Sequence, residues 1–85
     1  MSSRTNAVNL PKAAVAKAWD LVEELTFART SRTPTPGVTA TARAVGVSPT
    51  AVSCWEGGEY QPGLAAFIAW ADSLGYDVVL QAREE

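Results

Sequence analysis

Hydrophobic positions recur at helical spacing in successive runs, and the breaks between runs carry residues that stop or start helices. The first run is Val15, Trp19, Val22 and Leu25, flanked by Ala14, Ala18, Leu21 and Ala28. It predicts an amphipathic helix from about Pro11 to Arg29. Asn9 is its expected cap, with Pro11 in the first turn. Lys12, Lys17, Asp20, Glu23 and Glu24 fall on the solvent side. Residues 1–9 are polar and aperiodic, so a flexible N-terminal arm over 1–10 precedes a folded unit over 11–75.

Residues 30–36 break the pattern, because Pro34 and Pro36 push their predecessors out of helical geometry. Thr35 is an expected cap with Pro36 behind it, opening a second helix over 36–45. Val38, Ala42 and Val45 point inward there, leaving Thr39, Thr41 and Arg43 outward or sideways. Gly46 suits the left-handed position that ends a helix, and Val47 returns to the core. Ser48 then caps a third helix with Pro49 at its first position. Val52 and Trp55 anchor that helix, and small uncharged residues lie between them. Gly57 and Gly58 stop it.

Tyr60, Gln61 and Pro62 lead to a fourth helix with an apolar stripe of Leu64, Phe67, Ile68, Ala71 and Leu74. Trp70 sits at the edge of that stripe, in the core or at a subunit contact. After Gly75, Tyr76, Val78 and Leu80 alternate with Asp77, Val79 and Gln81, which predicts a strand within a tail over 76–85. A lone strand needs its edge paired. The economical partner is the same strand of a second copy about a two-fold axis, with Trp70, Tyr76, Val78 and Leu80 at the contact. The expected fold is all-α, a compact bundle of about four to five helices with a short C-terminal β-strand.

Composition narrows the function. Eighty-five residues with 47% apolar content make one small domain with a real core. The single Cys54 cannot form an internal disulfide. No apolar run approaches the ~20 residues of a membrane helix, and no long apolar segment follows Arg4, so a soluble cytoplasmic protein without membrane partners is expected. Histidine is absent, which removes the commonest general base and metal ligand. There is also no phosphate-binding glycine loop and no close carboxylate pair. An enzyme is not expected, nor a cofactor or a metal site.

The net charge of −2 argues against strong non-specific nucleic-acid binding. The charges are segregated, however. Acids gather at Asp20, Glu23 and Glu24 and again from Asp72 onward, whereas the stretch from Arg29 to Arg43 holds Arg29, Arg32 and Arg43 and no acid. The middle of the chain can therefore present a mildly positive surface.

Residues 42–64 resemble the Cro/phage-repressor helix-turn-helix family, also called the xenobiotic-response-element type. The pattern falls on Ala42, Gly46, Val47, Ser48, Val52, Ser53, Trp55, Glu56, Gly58, Pro62 and Leu64. Leu25 to Arg29 is similar to the end of that family's first helix, and Leu74-Gly75 to the close of its later one. The resemblance implies a lambda-repressor-like fold and a sequence-specific DNA-binding transcriptional regulator: a repressor, Cro-like protein or antitoxin, usually dimeric. Its partners would be double-stranded DNA with an inverted repeat and, for an antitoxin, a toxin protein.

The chain departs from the pattern in several places. Val38 stands where a polar residue usually opens the second helix, and Thr41 where a Leu precedes the Ala. Thr26 replaces the first-helix Arg that pairs with the Glu of the Trp-Glu step, so Arg29 or Arg43 is expected to serve Glu56 instead. Gly57 and Glu59 replace an Asn and a basic residue, and the first connection is longer.

Transferred to this chain, the base-facing residues are Pro49, Thr50, Ala51, Ser53 and Cys54. Thr50 and Ser53 can hydrogen-bond to bases, and Ala51 and the Thr50 methyl can touch thymine. Cys54 either faces outward or packs. Phosphate contacts fall to Arg29, Arg32, Thr35, Thr39, Arg43 and Ser48, to backbone N–H groups at Gly57 and Gly58, and to Tyr60, which either bonds a phosphate or only packs against the turn. For Arg29 and Arg43 a structural ion pair with Glu56 is the competing role. Arg4 is either a minor-groove arm or a bystander. The competing function is a protein-interaction module that keeps the fold with little DNA affinity, which the low basicity favours.

Overall fold

The computed structural model describes residues 10–84. It has four helices, α1 (Lys12–Thr30), α2 (Val38–Val45), α3 (Pro49–Glu56) and α4 (Leu64–Ser73), and no strand among the described residues. The expected arm over 1–10, Arg4 and the Asn9 cap lie outside them, apart from the exposed Leu10. Pro11 occupies the cap position of α1. No helix of the described chain is long and apolar enough to cross a membrane.

α2 packs against both α3 and α4, and α1 reaches α3. The core is Val22 and Leu25 of α1, Ala42 of α2, Val52 and Trp55 of α3, and Trp70, Ala71 and Leu74 beside them. Ala42 is where α2 needs a small residue, since it is fully enclosed at the centre of that packing. Trp55 and Trp70 lie tilted with centroids 5.4 Å apart, and Phe67 meets Trp70 edge-on at 6.4 Å. These offset and edge-to-face arrangements place the positive ring edge against the negative face.

Several placements differ from the sequence expectation. Trp70 is completely buried, with its indole N–H unpaired, so it belongs to the core and not to a subunit contact. The buried face of α4 follows Phe67, Trp70, Ala71 and Leu74, and this turns Leu64 and Ile68 toward solvent. Thr41 is buried instead of outward. Val38, Thr41, Ala42 and Val45 share the i, i+3, i+4, i+7 stripe that faces α3 and α4. α2 starts at Val38 on Gly37, two residues later than expected, and no side chain caps it.

The expected strand is absent from the described residues. Residues 76–84 carry no regular structure. Within this described segment, only the Tyr76 N–H donates to a backbone carbonyl, that of Ala71 at 2.9 Å. The physical reason is that a ladder needs a second row of donors and acceptors, and the described residues of one chain offer none.

Candidate nucleic-acid interface

The connection from α2 to α3 is built by local chemistry. Gly46 has φ of 93°, a conformation costly for a residue with a Cβ. It lets the N–H groups of both Gly46 and Val47 return to the Ala42 carbonyl, at 2.8 and 3.0 Å. Val47, half-buried, plugs against the core. Ser48 then accepts a hydrogen bond from the Ala51 N–H at 3.2 Å, and Pro49 takes the first helical position, where no N–H is needed. The expected cap and helix start are both present.

α3 divides cleanly by side. Val52 and Trp55 are buried and Ala51 is half-buried. Pro49, Thr50, Ser53 and Gly57 are exposed and fall within about 100° of arc, given 3.6 residues per turn. Ala51, expected among the base-facing residues, lies at the edge of the packed side and touches the core. Cys54 is half-buried, its thiol 3.8 Å from Oε1 of Glu59. The free outer stripe is therefore small and uncharged, with two hydroxyls.

Behind α3, Arg29 donates from Nε and Nη2 to the two carboxylate oxygens of Glu56, both at 2.7 Å. Its Nη1 donates to the Pro36 carbonyl, also at 2.7 Å. Both side chains are 11% exposed. Hydrogen bonding to Glu56 raises the Arg29 pKa further above its usual value, against the opposing pull of desolvation. Arg29 thus answers the question posed by Thr26: it pairs with Glu56, and Arg43 remains exposed without that partner. The signal was present in the sequence. Arg29 lies four residues after Leu25 and seven after Val22, on the apolar side of α1.

This geometry corrects several phosphate assignments. Arg29 is buried and engaged, so it does not reach outward. Arg32 is not among these: it donates from Nη2 to the Leu74 carbonyl, tying the loop after α1 to the end of α4, while the residue stays exposed. Thr35 does not cap α2, and its hydroxyl donates to the Arg32 carbonyl at 2.7 Å. The Gly57 N–H goes to the Ser53 carbonyl at 2.8 Å and the Gly58 N–H to that of Trp55 at 3.2 Å, so neither donor is free. Ordinary helix-end closure consumes them.

Thr39, Arg43, Ser48 and Tyr60 remain exposed. The Tyr60 phenol is held above its ordinary pKa, first by desolvation and then by charge and hydrogen-bond interactions with Cys54 and by Glu59. At neutral pH it is a neutral donor. The uncapped start of α2 at Gly37 adds first-turn N–H groups that sequence reading did not single out.

Family models, curated proteins and solved structures return no match to this chain.

Proposed function

We propose that this protein is a lambda-repressor-like helix-turn-helix regulator that reads the DNA major groove with α3 and works as a homodimer on an inverted repeat. The observation that carries the reading is the two-sidedness of α3. Val52 and Trp55 fix it to the core, while Pro49, Thr50 and Ser53 stand clear of the rest of the fold. A major groove admits one helix, and short side chains on its outer stripe bring the backbone close to base edges.

Thr50 and Ser53 supply hydroxyls that accept or donate, and the Thr50 methyl suits a thymine. No Arg, Asn or Gln stands on this stripe, so discrimination rests on these contacts together with DNA shape and bridging water. Positioning on phosphates falls to Arg43, to the Ser48 hydroxyl hydrogen, to Thr39 and to the free N–H groups opening α2. The Ser48 oxygen already serves the Ala51 N–H, but its hydrogen remains available.

With Arg29 held inside the fold and only Arg32 and Arg43 of the basic stretch exposed, the ionic component is small. Binding to a selected duplex should fall with salt at a log–log slope of about −1 to −2 per subunit, since each neutralised phosphate contributes about −0.9. The test is selection from random duplexes with the purified full chain, followed by a salt titration of the enriched site. Enrichment of a two-fold-symmetric site supports the reading. Recovery of no sequence at low salt overturns it and leaves the protein-interaction module.

A further inference from the structure

Along α1, Trp19, Glu23, Thr26, Phe27 and Thr30 recur at three- and four-residue steps and share one side of the helix. This side borders a cleft of about 510 Å³, and the C-terminal end of α3 lines the cleft with Trp55, Glu56, Gly57 and Gly58. The volume lies within the roughly 300–1,000 Å³ of small-molecule sites. Phe27 is 72% exposed there, so an aromatic ring keeps most of its surface in water. Trp19 is half-buried, and Glu23 is exposed.

Apart from two indole N–H groups, the side chains of the cleft offer acceptors. The Thr26 hydroxyl donates to the Val22 carbonyl at 2.9 Å, and the Thr30 hydroxyl to that of Thr26 at 3.0 Å. Their hydrogens are thus spent within α1, and oxygen lone pairs remain. The carbonyls of Glu56 and Gly57 accept no backbone hydrogen bond among the described residues. The C-terminal end of a helix also carries partial negative charge. Glu56 is neutralised by Arg29, whereas Glu23 has no ion pair among the described residues. No Lys or Arg lines the cleft.

We propose that this cleft binds a small organic ammonium ion with an apolar, ring-sized body, its charge at Glu23 and its body against Phe27 and Trp19. Glu23 and Phe27 stand one turn apart, so a single small ligand can touch both. An ammonium group supplies the N–H donors that the acceptors lack, and a cation is attracted to the faces of aromatic rings. The apolar body withdraws the Phe27 ring from water. An anion of the same shape would meet Glu23 and the end of α3 with no cation to offset them. The site needs neither a duplex nor a second copy of the chain.

The test is a heteronuclear NMR titration of the full chain with three probes of one shape. These are 4-phenylbutylamine, which keeps its proton at neutral pH as a lysine does, the neutral 4-phenylbutanol and the anionic 4-phenylbutyrate. The three tryptophans give an internal control. Trp19 and Trp55 line the cleft, whereas Trp70 is completely buried and does not. The amine should shift the Trp19 and Trp55 indole signals most, saturating with a Kd on the order of 1 mM. The alcohol should bind about fivefold more weakly, and the carboxylate more weakly still. Glu23→Gln should weaken the amine about threefold and leave the alcohol unchanged. Phe27→Ala should weaken both by a similar factor. Glu23 and Phe27 are exposed, so both variants should keep the wild-type far-UV helical signal. No saturable shift with the amine, or its largest shifts away from the cleft, overturns the proposal. So does equal affinity for amine and alcohol, or an amine Kd that Glu23→Gln leaves unchanged.

Discussion

Replacing Glu56 by Ala removes the acceptor of two of the three hydrogen bonds made by a guanidinium that the fold holds 11% exposed. Arg29 would keep only the Pro36 carbonyl. A charge left unpaired at a largely buried site costs about 3–5 kcal/mol, and water can reach this one, so about 3 kcal/mol is expected. A domain of this length has a total stability of roughly 4–13 kcal/mol. The loss is therefore a large fraction, equivalent to about 12–24 °C in Tm. Glu56→Gln keeps one oxygen acceptor but loses the charge, and should fall between Ala and wild type.

The double variant Arg29→Met/Glu56→Leu removes both charges and keeps the volume filled. It should be less destabilised than Glu56→Ala alone, because a well-packed apolar pair costs little where a lone charge costs much. Urea unfolding followed by far-UV circular dichroism at constant m-value measures all of these. A loss under about 1 kcal/mol for Glu56→Ala would place the pair with ordinary surface ion pairs and refute its role as the tie between α1 and α3.

Gly46→Ala should cost about 1–2 kcal/mol by urea melt, through backbone strain only, because an added Cβ meets no atom within 4 Å. Ser48→Ala deletes the cap on the Ala51 N–H and should lower stability by about 1 kcal/mol, with Ser48→Asp retaining it. In gel-shift titrations, Thr50→Ala should compress the affinity gap between a selected site and random duplex. Arg43→Ala should weaken both alike and reduce the magnitude of the salt slope by about one. If Thr50→Ala lowers affinity for random duplex as much as for the site, the outer stripe of α3 is not reading bases.

Much of the path to α3 was legible in the chain because it is decided within a few residues. Gly46 tolerates a positive φ, Ser48 reaches the N–H three positions on, and Pro49 fits a first turn. Val52 and Trp55 were readable as anchors for the same reason, since their spacing puts them on one side of any helix that forms. Whichever way the rest of the chain packs, these local preferences hold.

The tertiary structure decided what depends on distance between elements. Arg29, Arg32 and Arg43 look alike as a basic stretch, yet Arg29 is buried against Glu56, while Arg32 and Arg43 stay exposed and Arg32 alone reaches the end of α4. Helix packing, not local sequence, sets which carboxylate or carbonyl lies within hydrogen-bonding reach. Trp70 and Thr41 went to the interior because α2 and α4 enclose them together, which no single-helix pattern reveals. The tail shows the reverse limit. Its alternation was plain in the chain, but alternation cannot make a strand without a second row of backbone groups to bond it.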